Sequence, residues 1–364
     1  MRVGVLGGGQ LGRMLALSGY QLGIQFRFFD PSSGAPVGQI GELVAARYDD
    51  HAALERFLHG VDVVTYEFES IPLDAVRFVA ERVPVFPPLS ALETAQDRLL
   101  EKQLFRDLGI PVPEFSAVND LSHLRDAADR IGYPVVLKTR RMGYDGKGQI
   151  VLRGEASLED AWKQLGAHPL ILEKLVAFDR EVSVIGARDS SGNEVFYPLA
   201  ENVHREGILR KTTVPAPDAS EELKARAMDY CRSIMERFAY VGVMALELFC
   251  VGDTLLANEI APRVHNSGHW TIEGAETSQF ENHLRAILSL PLGSASPRGS
   301  AAMINIVGEI PPREAVLAVP GAHLHLYGKS ATERRKLGHV TLVAASAAAL
   351  DEGVATLAGV LRAG

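Results

Sequence analysis

The sequence predicts an α/β domain on a parallel sheet at the N-terminus, followed by mixed α+β structure. Three observations carry that prediction. Strand-like apolar runs alternate with helix-period segments over about residues 1–90, the pattern of a parallel sheet with crossover helices. Further on, "GVMALELFCVGDTLLANEIAPR" reads as a β-hairpin. Composition breaks at the proline-rich "FPPLSALE" and again at "LGSASPRGSA", both candidate boundaries. At roughly 150 residues per domain, 364 residues allow two or three domains.

Taken in order, residues 2–6 form a short buried strand. Leu11, Met14, Leu15, Ser18 and Leu22 then recur at helical spacing, with Gly23 as the C-terminal stop. "IQFRFFD", "VDVVTYEFE" and "VPVFP" read as further strands, and "AQDRLLEKQLFRDLG" as one charged helix closed by Gly109. "PVVLKT" is a strand leading into the glycine-rich "RRMGYDGKGQIVL"; "LILEKLV" and "REVSVIGARD" are strands, with "DSSGNE" a hairpin-type turn. "SEELKARAMDYCRSIMERF" is an amphipathic helix with Ser220 as N-cap and two glutamates in its first turn. A small α/β tail ends in an alanine-rich segment.

The net charge of −8 argues against non-specific nucleic-acid binding, which needs a basic footprint. No apolar run approaches the roughly 18 residues of a membrane span, and no signal peptide is apparent. Cys231 and Cys250 sit in apolar patterns and read as buried thiols of a reducing cytoplasm.

Three motifs carry chemistry. Gly7-x-Gly9-x-x-Gly12 lies between a strand and a helix, with Asp30 eighteen residues beyond. That is close to a dinucleotide fingerprint, but glycines at a helix N-terminus suit any phosphate. In "LKTRRMGYDGKGQ", Lys138 ends a strand, and Gly143, Gly146 and Gly148 interrupt a loop carrying Lys147. This is not a P-loop, yet it offers free N–H groups and two point charges to a triphosphate; the bland alternative is a solvated hairpin turn. Third, a three-residue turn Gly252-Asp253-Thr254 would pair Val251 with Leu255 and so Glu247 with Glu259. Opposed carboxylates repel; a hard cation bound through oxygen, Mg²⁺ rather than zinc, removes the conflict. Two acids on a wet face are the alternative. Asn258 is adjacent, facing away on this register.

With "GYDGKGQ", "LEKLVAFDRE", "ENVHREGIL" and "NEIAPRVHNSGHWT" in order, the chain resembles the ATP-grasp ligases, specifically the N5-carboxyaminoimidazole ribonucleotide synthetases of purine biosynthesis. The resemblance runs from "GGGQLGRM" through "GKSATERRKLGHV". It implies an ATP-grasp fold: a Rossmann-like N-terminal domain over 1–96, an ATP-grasp domain over 97–296 with a mobile lid at about 112–177, and a small C-terminal domain over 297–364. It implies that Lys138, Arg98 and the loop Gly143, Tyr144, Asp145, Gly146, Lys147, Gly148 and Gln149 hold the ATP phosphates. Glu173, Lys174, Leu175 and Val176 would meet adenine, Glu181 the ribose, and His204 the nucleotide site. Glu247 and Glu259 would bind Mg²⁺, two ions in all, beside Asn258. For aminoimidazole ribonucleotide the implied residues are Gly9, Gln10 and Leu11 at the 5′-phosphate, with Glu67, Glu69, Tyr144, Asp145, Arg263, His265, Asn266, Ser267, Lys329, Arg335 and Lys336. Arg263 would hold bicarbonate or the transferring phosphoryl group, and Asp145 would accept a proton; these two and Lys138 are the catalytic candidates. Where the family's arginine-proline pair is expected before "RK", Thr332 and Glu333 stand instead, with Arg334 a substitute. The resemblance also implies a homodimer; the lack of a leader or membrane span reads as cytoplasmic, and with the sequence ending at Gly364 no fused mutase is expected, so a separate mutase would take the product. A nicotinamide oxidoreductase, a non-catalytic nucleotide binder and a different ATP-grasp carboxylate–amine ligase are the rivals.

Overall fold

The computed structural model describes residues 1–143 and 148–362. The described residues form three sheets.

The first is parallel, in the order β3-β2-β1-β4, from β1 (Arg2–Leu6), β2 (Gln25–Asp30), β3 (Glu42–Ala45) and β4 (Val63–Tyr66). Its helices are α1 (Gln10–Tyr20), α2 (His51–Leu58) and α3 (Leu73–Ala80). Gly23 ends the α1 turn at φ +71°, a left-handed conformation that glycine adopts without penalty. "VPVFP" is not a strand: only a single parallel bridge joins Val85 to Val64, because prolines at 84 and 87 remove ladder donors. The charged helix is α5 (Arg98–Asp107), and a further short helix, α4 (Leu89–Ala95), fills the segment read as a boundary. Asp97 breaks the run by turning extended and capping α5 through Leu99 N–H at 3.0 Å.

The second sheet is antiparallel, β5-β8-β6-β7, from β5 (Phe115–Val118), β6 (Val135–Thr139), β7 (Gln149–Leu152) and β8 (Leu170–Lys174). With α6 (Leu121–Ile131) and α7 (Leu158–Leu165) it encloses its own core of Leu124, Leu137, Leu152, Leu158 and Leu172.

The third sheet has nine strands, β14-β13-β9-β11-β12-β15-β17-β16 with β10 on β9. They are β9 (Arg180–Arg188), β10 (Glu194–Phe196), β11 (Ala200–Arg205), β12 (Ile208–Val214), β13 (Gly242–Val251), β14 (Thr254–Ala261), β15 (Ser300–Val307), β16 (Ala322–Leu326) and β17 (Lys336–Ala344). The helix α8 (Glu221–Arg237) starts at Ser220, whose hydroxyl accepts from Leu223 N–H. The short α9 (Thr271–Gly274), α10 (Gln279–Ile287), α11 (Arg313–Leu317) and α12 (Ala347–Arg362) complete the chain. β15 pairs with β12, so the C-terminal segment continues the large sheet. Among the described residues no helix is long and apolar enough to cross a membrane.

Candidate active site

The acid pair lies on the β13–β14 hairpin. Val251 pairs with Thr254, so the turn is the two residues Gly252 and Asp253 rather than three. A β-bulge between Glu247 and Leu248 then absorbs one extra residue, Asn258, and restores Glu247 opposite Glu259. A bulge re-aims side chains locally: Glu247, Asn258 and Glu259 all line the same cleft, so Asn258 does not face away. Burial, followed by the facing Glu259 carboxylate, pushes Glu247 up to about 7. Arg98 reaches Glu259 at 3.4 Å.

Lys138, at the end of β6, lies 3.0 Å from Glu173 Oε2. Glu173 is 3% exposed, its carboxylate turned toward the lysines. Lys102 reaches the same oxygen at 3.5 Å and donates to the Asn258 carbonyl at 2.6 Å. Burial opposes ionisation of Glu173, yet Lys102 and Lys138 hold it down to about 2. Asp97 accepts a bidentate pair from Arg140 at 2.9 and 2.6 Å, tying α5 to the segment after β6. Arg98 donates to Gly143 O at 3.4 Å. Tyr144, Asp145, Gly146 and Lys147 lie outside the described residues. Gly148 holds φ +70°, and a Cβ there would meet Thr139 Oγ1 at 2.6 Å. Leu175 lines the cleft, whereas Lys174 turns back to the Gly132 carbonyl at 2.8 Å. His204 Nδ1 is 2.8 Å from Glu181; burial would lower its pKa, but the Glu181 hydrogen bond and the Glu247 charge raise it. Phe178 and Phe249 stack at 4.8 Å and both line the cleft.

On the N-terminal side the α1 N-terminus is occupied from within. The Glu67 carboxylate accepts from Gly9 N–H and, at 2.9 Å, from Gly12 N–H. Asp30 accepts from Gly8 N–H at 2.9 Å. Gly9 and Asp30 are therefore engaged inside the loop, while Gln10 and Leu11 line the cleft. Lys329 donates to the Gln10 side chain. Arg263 pairs with Glu69 at 2.5 Å. His265 Nε2 approaches Glu247 at 3.4 Å, and its Nδ1 lies 2.9 Å from Ser267 Oγ. Ser267 N–H points to the same Nδ1, which makes that nitrogen the acceptor and leaves the proton on Nε2, toward Glu247. Asn266 is clamped by Asn305 at 3.1 and 2.7 Å. Arg335 turns to Ser330 at 3.0 Å, and Arg334 to Glu206 at 3.0 Å; neither lines the cleft, whereas Lys336 does.

One cleft of about 1080 Å³ brings together Gln10 and Glu69, Lys138 and Gln149, and Glu247, Glu259, Arg263 and Lys336. Residues 1–96 match the ribonucleotide synthetase preATP-grasp domain, 103–280 the ATP-grasp domain, and 301–353 the phosphoribosylaminoimidazole carboxylase C-terminal domain. The chain is 49% identical over 363 residues to the N5-carboxyaminoimidazole ribonucleotide synthase of Pseudomonas aeruginosa, covering all of both chains. The chain belongs to the N5-carboxyaminoimidazole ribonucleotide synthase family. The crystal structure of the Thermus thermophilus synthetase superposes with a TM-score of 0.95 at 55% identity, covering 98% of each chain. The Aspergillus clavatus synthase, solved with ADP and 5-aminoimidazole ribonucleotide, gives 0.92 at 33% identity, over 100% of this chain and 98% of that one.

Within this synthase-family fold, sequence reasoning missed Glu101 and Arg140, which line the cleft, and Asp97 and Lys102, which hold lining groups in place from behind. Burial, together with the nearby Glu259 charge, pushes Glu101 up to about 8 against the pull of Lys102; it accepts from Ile260 N–H at 2.7 Å. A signal existed. Arg98, Glu101, Lys102 and Phe105 share the i, i+3, i+4, i+7 stripe of α5, the face a helix buries.

Proposed function

We propose that this chain is the ATP-dependent ligase that carboxylates 5-aminoimidazole ribonucleotide with bicarbonate, giving N5-carboxyaminoimidazole ribonucleotide, ADP and phosphate. The observation that supports this reading is a single cleft lined by Lys138, Gly143 and Gln149, by the opposed Glu247 and Glu259, and by Arg263 and His265. The modules are 1–96, 97–296 with the lid at 112–177, and 297–364.

Bicarbonate oxygen attacks the γ-phosphorus while the bond to the ADP oxygen breaks, giving carboxyphosphate. The exocyclic amine then attacks the carboxyl carbon of carboxyphosphate, expelling phosphate, or attacks the CO₂ that carboxyphosphate releases with phosphate in the closed site; on either route the amine gives up a proton to Asp145. Lys138, Arg98 and the Gly143–Gln149 loop hold the phosphates, a task of positioning and charge neutralisation. Residues Glu173–Val176 meet adenine through their backbone, and Glu181 with His204 the ribose side. Glu247 and Glu259 suit Mg²⁺: the raised Glu247 pKa marks a repulsion that a cation relieves, and Asn258 adds a neutral oxygen. Two such ions, when bound, supply Lewis-acid and template chemistry at the phosphate oxygens. Arg263 orients bicarbonate with its planar fork, exchanging Glu69 for it. Gln10, Leu11, Glu69, His265, Asn266 and Lys336 face the ribonucleotide. Ser267 holds His265 from below, while Lys329 reaches the site through Gln10. With the glycine N–H groups of Gly9 and Gly12 engaged by Glu67, the 5′-phosphate takes Gln10, Leu11 and the tail lysines. The enzyme works in the cytoplasm as a homodimer, and a separate mutase consumes its product.

ADP release, measured with each substrate omitted in turn, tests the assignment. Turnover stimulated by aminoimidazole ribonucleotide and bicarbonate supports it; ATP hydrolysis indifferent to both refutes it.

A further inference from the structure

The ammonium assigned above to the ATP phosphates is already committed in this structure. Lys138 Nζ and Lys102 Nζ share one oxygen, Glu173 Oε2, at 3.0 and 3.5 Å. Lys102 is 1% exposed and is not part of the cleft lining. Its remaining donors go to the main-chain carbonyls of Asn258 at 2.6 Å and Ala257 at 3.4 Å. Lys102 stands on α5, Glu173 and Lys138 on the smaller antiparallel sheet, and Asn258 in the bulge beside Glu259. One buried charge thus fastens the phosphate lysine's partner to the strand that carries an acid of the pair.

Lys138 must loosen its hold on Glu173 to meet a phosphate. Glu173 is buried, and its Oε1 has no hydrogen-bond partner among the described residues. A buried carboxylate stripped of its counter-charge is strongly disfavoured. A Glu173 with one lysine alone would hold that lysine back from ATP. Two lysines on one oxygen solve this, because one stays when the other leaves. We propose that Lys102 is the standing counter-ion of Glu173, a positioning residue that sets ATP affinity by releasing Lys138 to the nucleotide without touching it. Lys102 and Lys138 both draw Glu173 down against its burial, so the carboxylate keeps a counter-charge when either one moves. The proposal rests on Lys138 meeting the phosphates.

The test is a double-mutant cycle on ATP-Mg²⁺ affinity by calorimetry, with KM values measured alongside. Lys102→Met is expected to weaken ATP by about tenfold or more, with the KM for aminoimidazole ribonucleotide within about twofold. In the Glu173→Gln background the same change is expected to cost less than about threefold, since no buried charge then needs a partner. An unchanged ATP affinity in Lys102→Met overturns the proposal. So does an equal loss in both backgrounds, which marks a packing role alone. Should Lys102→Met fail to fold, Lys102→Met/Glu173→Gln against Glu173→Gln decides: tenfold weaker ATP in the double variant overturns the proposal. Lys138→Met separates the two readings. If it leaves ATP affinity unchanged, the phosphate assignment and this proposal fall together. If it abolishes binding while Lys102→Met is silent, only this proposal falls.

Discussion

Glu247 and Glu259 illustrate how one pair of residues reports the chemistry of a site. Two carboxylates opposite each other on one sheet face are a standing repulsion, and here one of them is buried enough to sit near pH 7. Glu259→Gln keeps the shape and removes a charge, so turnover is expected to fall at least about a hundredfold while the thermal midpoint, relieved of the repulsion, does not fall; steady-state ADP release and a melting curve check both halves. Glu101 makes a pH prediction. Its carboxyl is raised from 4.5 to about 8 in the folded state, so it binds its proton more tightly folded than unfolded. Its contribution to stability is complete below about pH 4.5 and is lost as pH rises through about 8. Glu173 works in the opposite sense, its contribution present above 4.5 and lost as pH falls through about 2. Buried His265, His269, His283 and His339 are held neutral in the fold and add stability as pH rises toward 6.5, so the Glu101 effect is read above them: melting temperatures of the metal-free protein are expected to decline from pH 7 to 8.5, and Glu101→Gln to flatten that decline; parallel curves for the two proteins would contradict it.

At the scale of elements, the α1 N-terminus and the β13–β14 bulge show what sequence pattern conveys and what it hides. The glycine motif was legible as an anion-binding helix start, because glycines between a strand and a helix mean little else. The anion was not legible: a carboxylate from Glu67, 58 residues away, and an external phosphate ask the same of the backbone. Glu67→Ala leaves two N–H donors without their acceptor and is expected to cost about 1–2 kcal/mol, seen as a lower urea midpoint with the KM for ATP unchanged. The acid hairpin was legible because alternation sets which residues oppose. Its turn was misread by one residue, and the bulge at Asn258 compensates by one residue, so the pairing survived while the direction of Asn258 did not. Charged residues on the buried stripe of α5 carried a positional signal that was outweighed by their type. Periodicity assigns faces from apolar residues, and Glu101 and Lys102 read as solvated when they are the opposite.

At the scale of the molecule, the cleft is lined from the α1 end of the parallel sheet and from both antiparallel sheets. The smaller antiparallel sheet encloses its own apolar core. The C-terminal segment does not stand apart: β15, β17 and β16 extend the large sheet, and Lys336 at the start of β17 lines the cleft. Ending the chain at residue 296 would bare the edge of β12, an aggregation template; such a truncation is expected to be poorly soluble, as centrifugation after expression would show. The broad fold was legible in the alternation of strands and helices, but the union of the last strands with the central sheet was not, since β12 and β15 pair across about ninety intervening residues. The account as a whole stands on one coupling, that ATP is cleaved in order to place bicarbonate on an amine. The direct measurement is ADP release with aminoimidazole ribonucleotide and bicarbonate supplied together or singly. The account predicts that turnover requires both and yields one ADP per carboxylated ribonucleotide. ADP release at the same rate with neither present would contradict it.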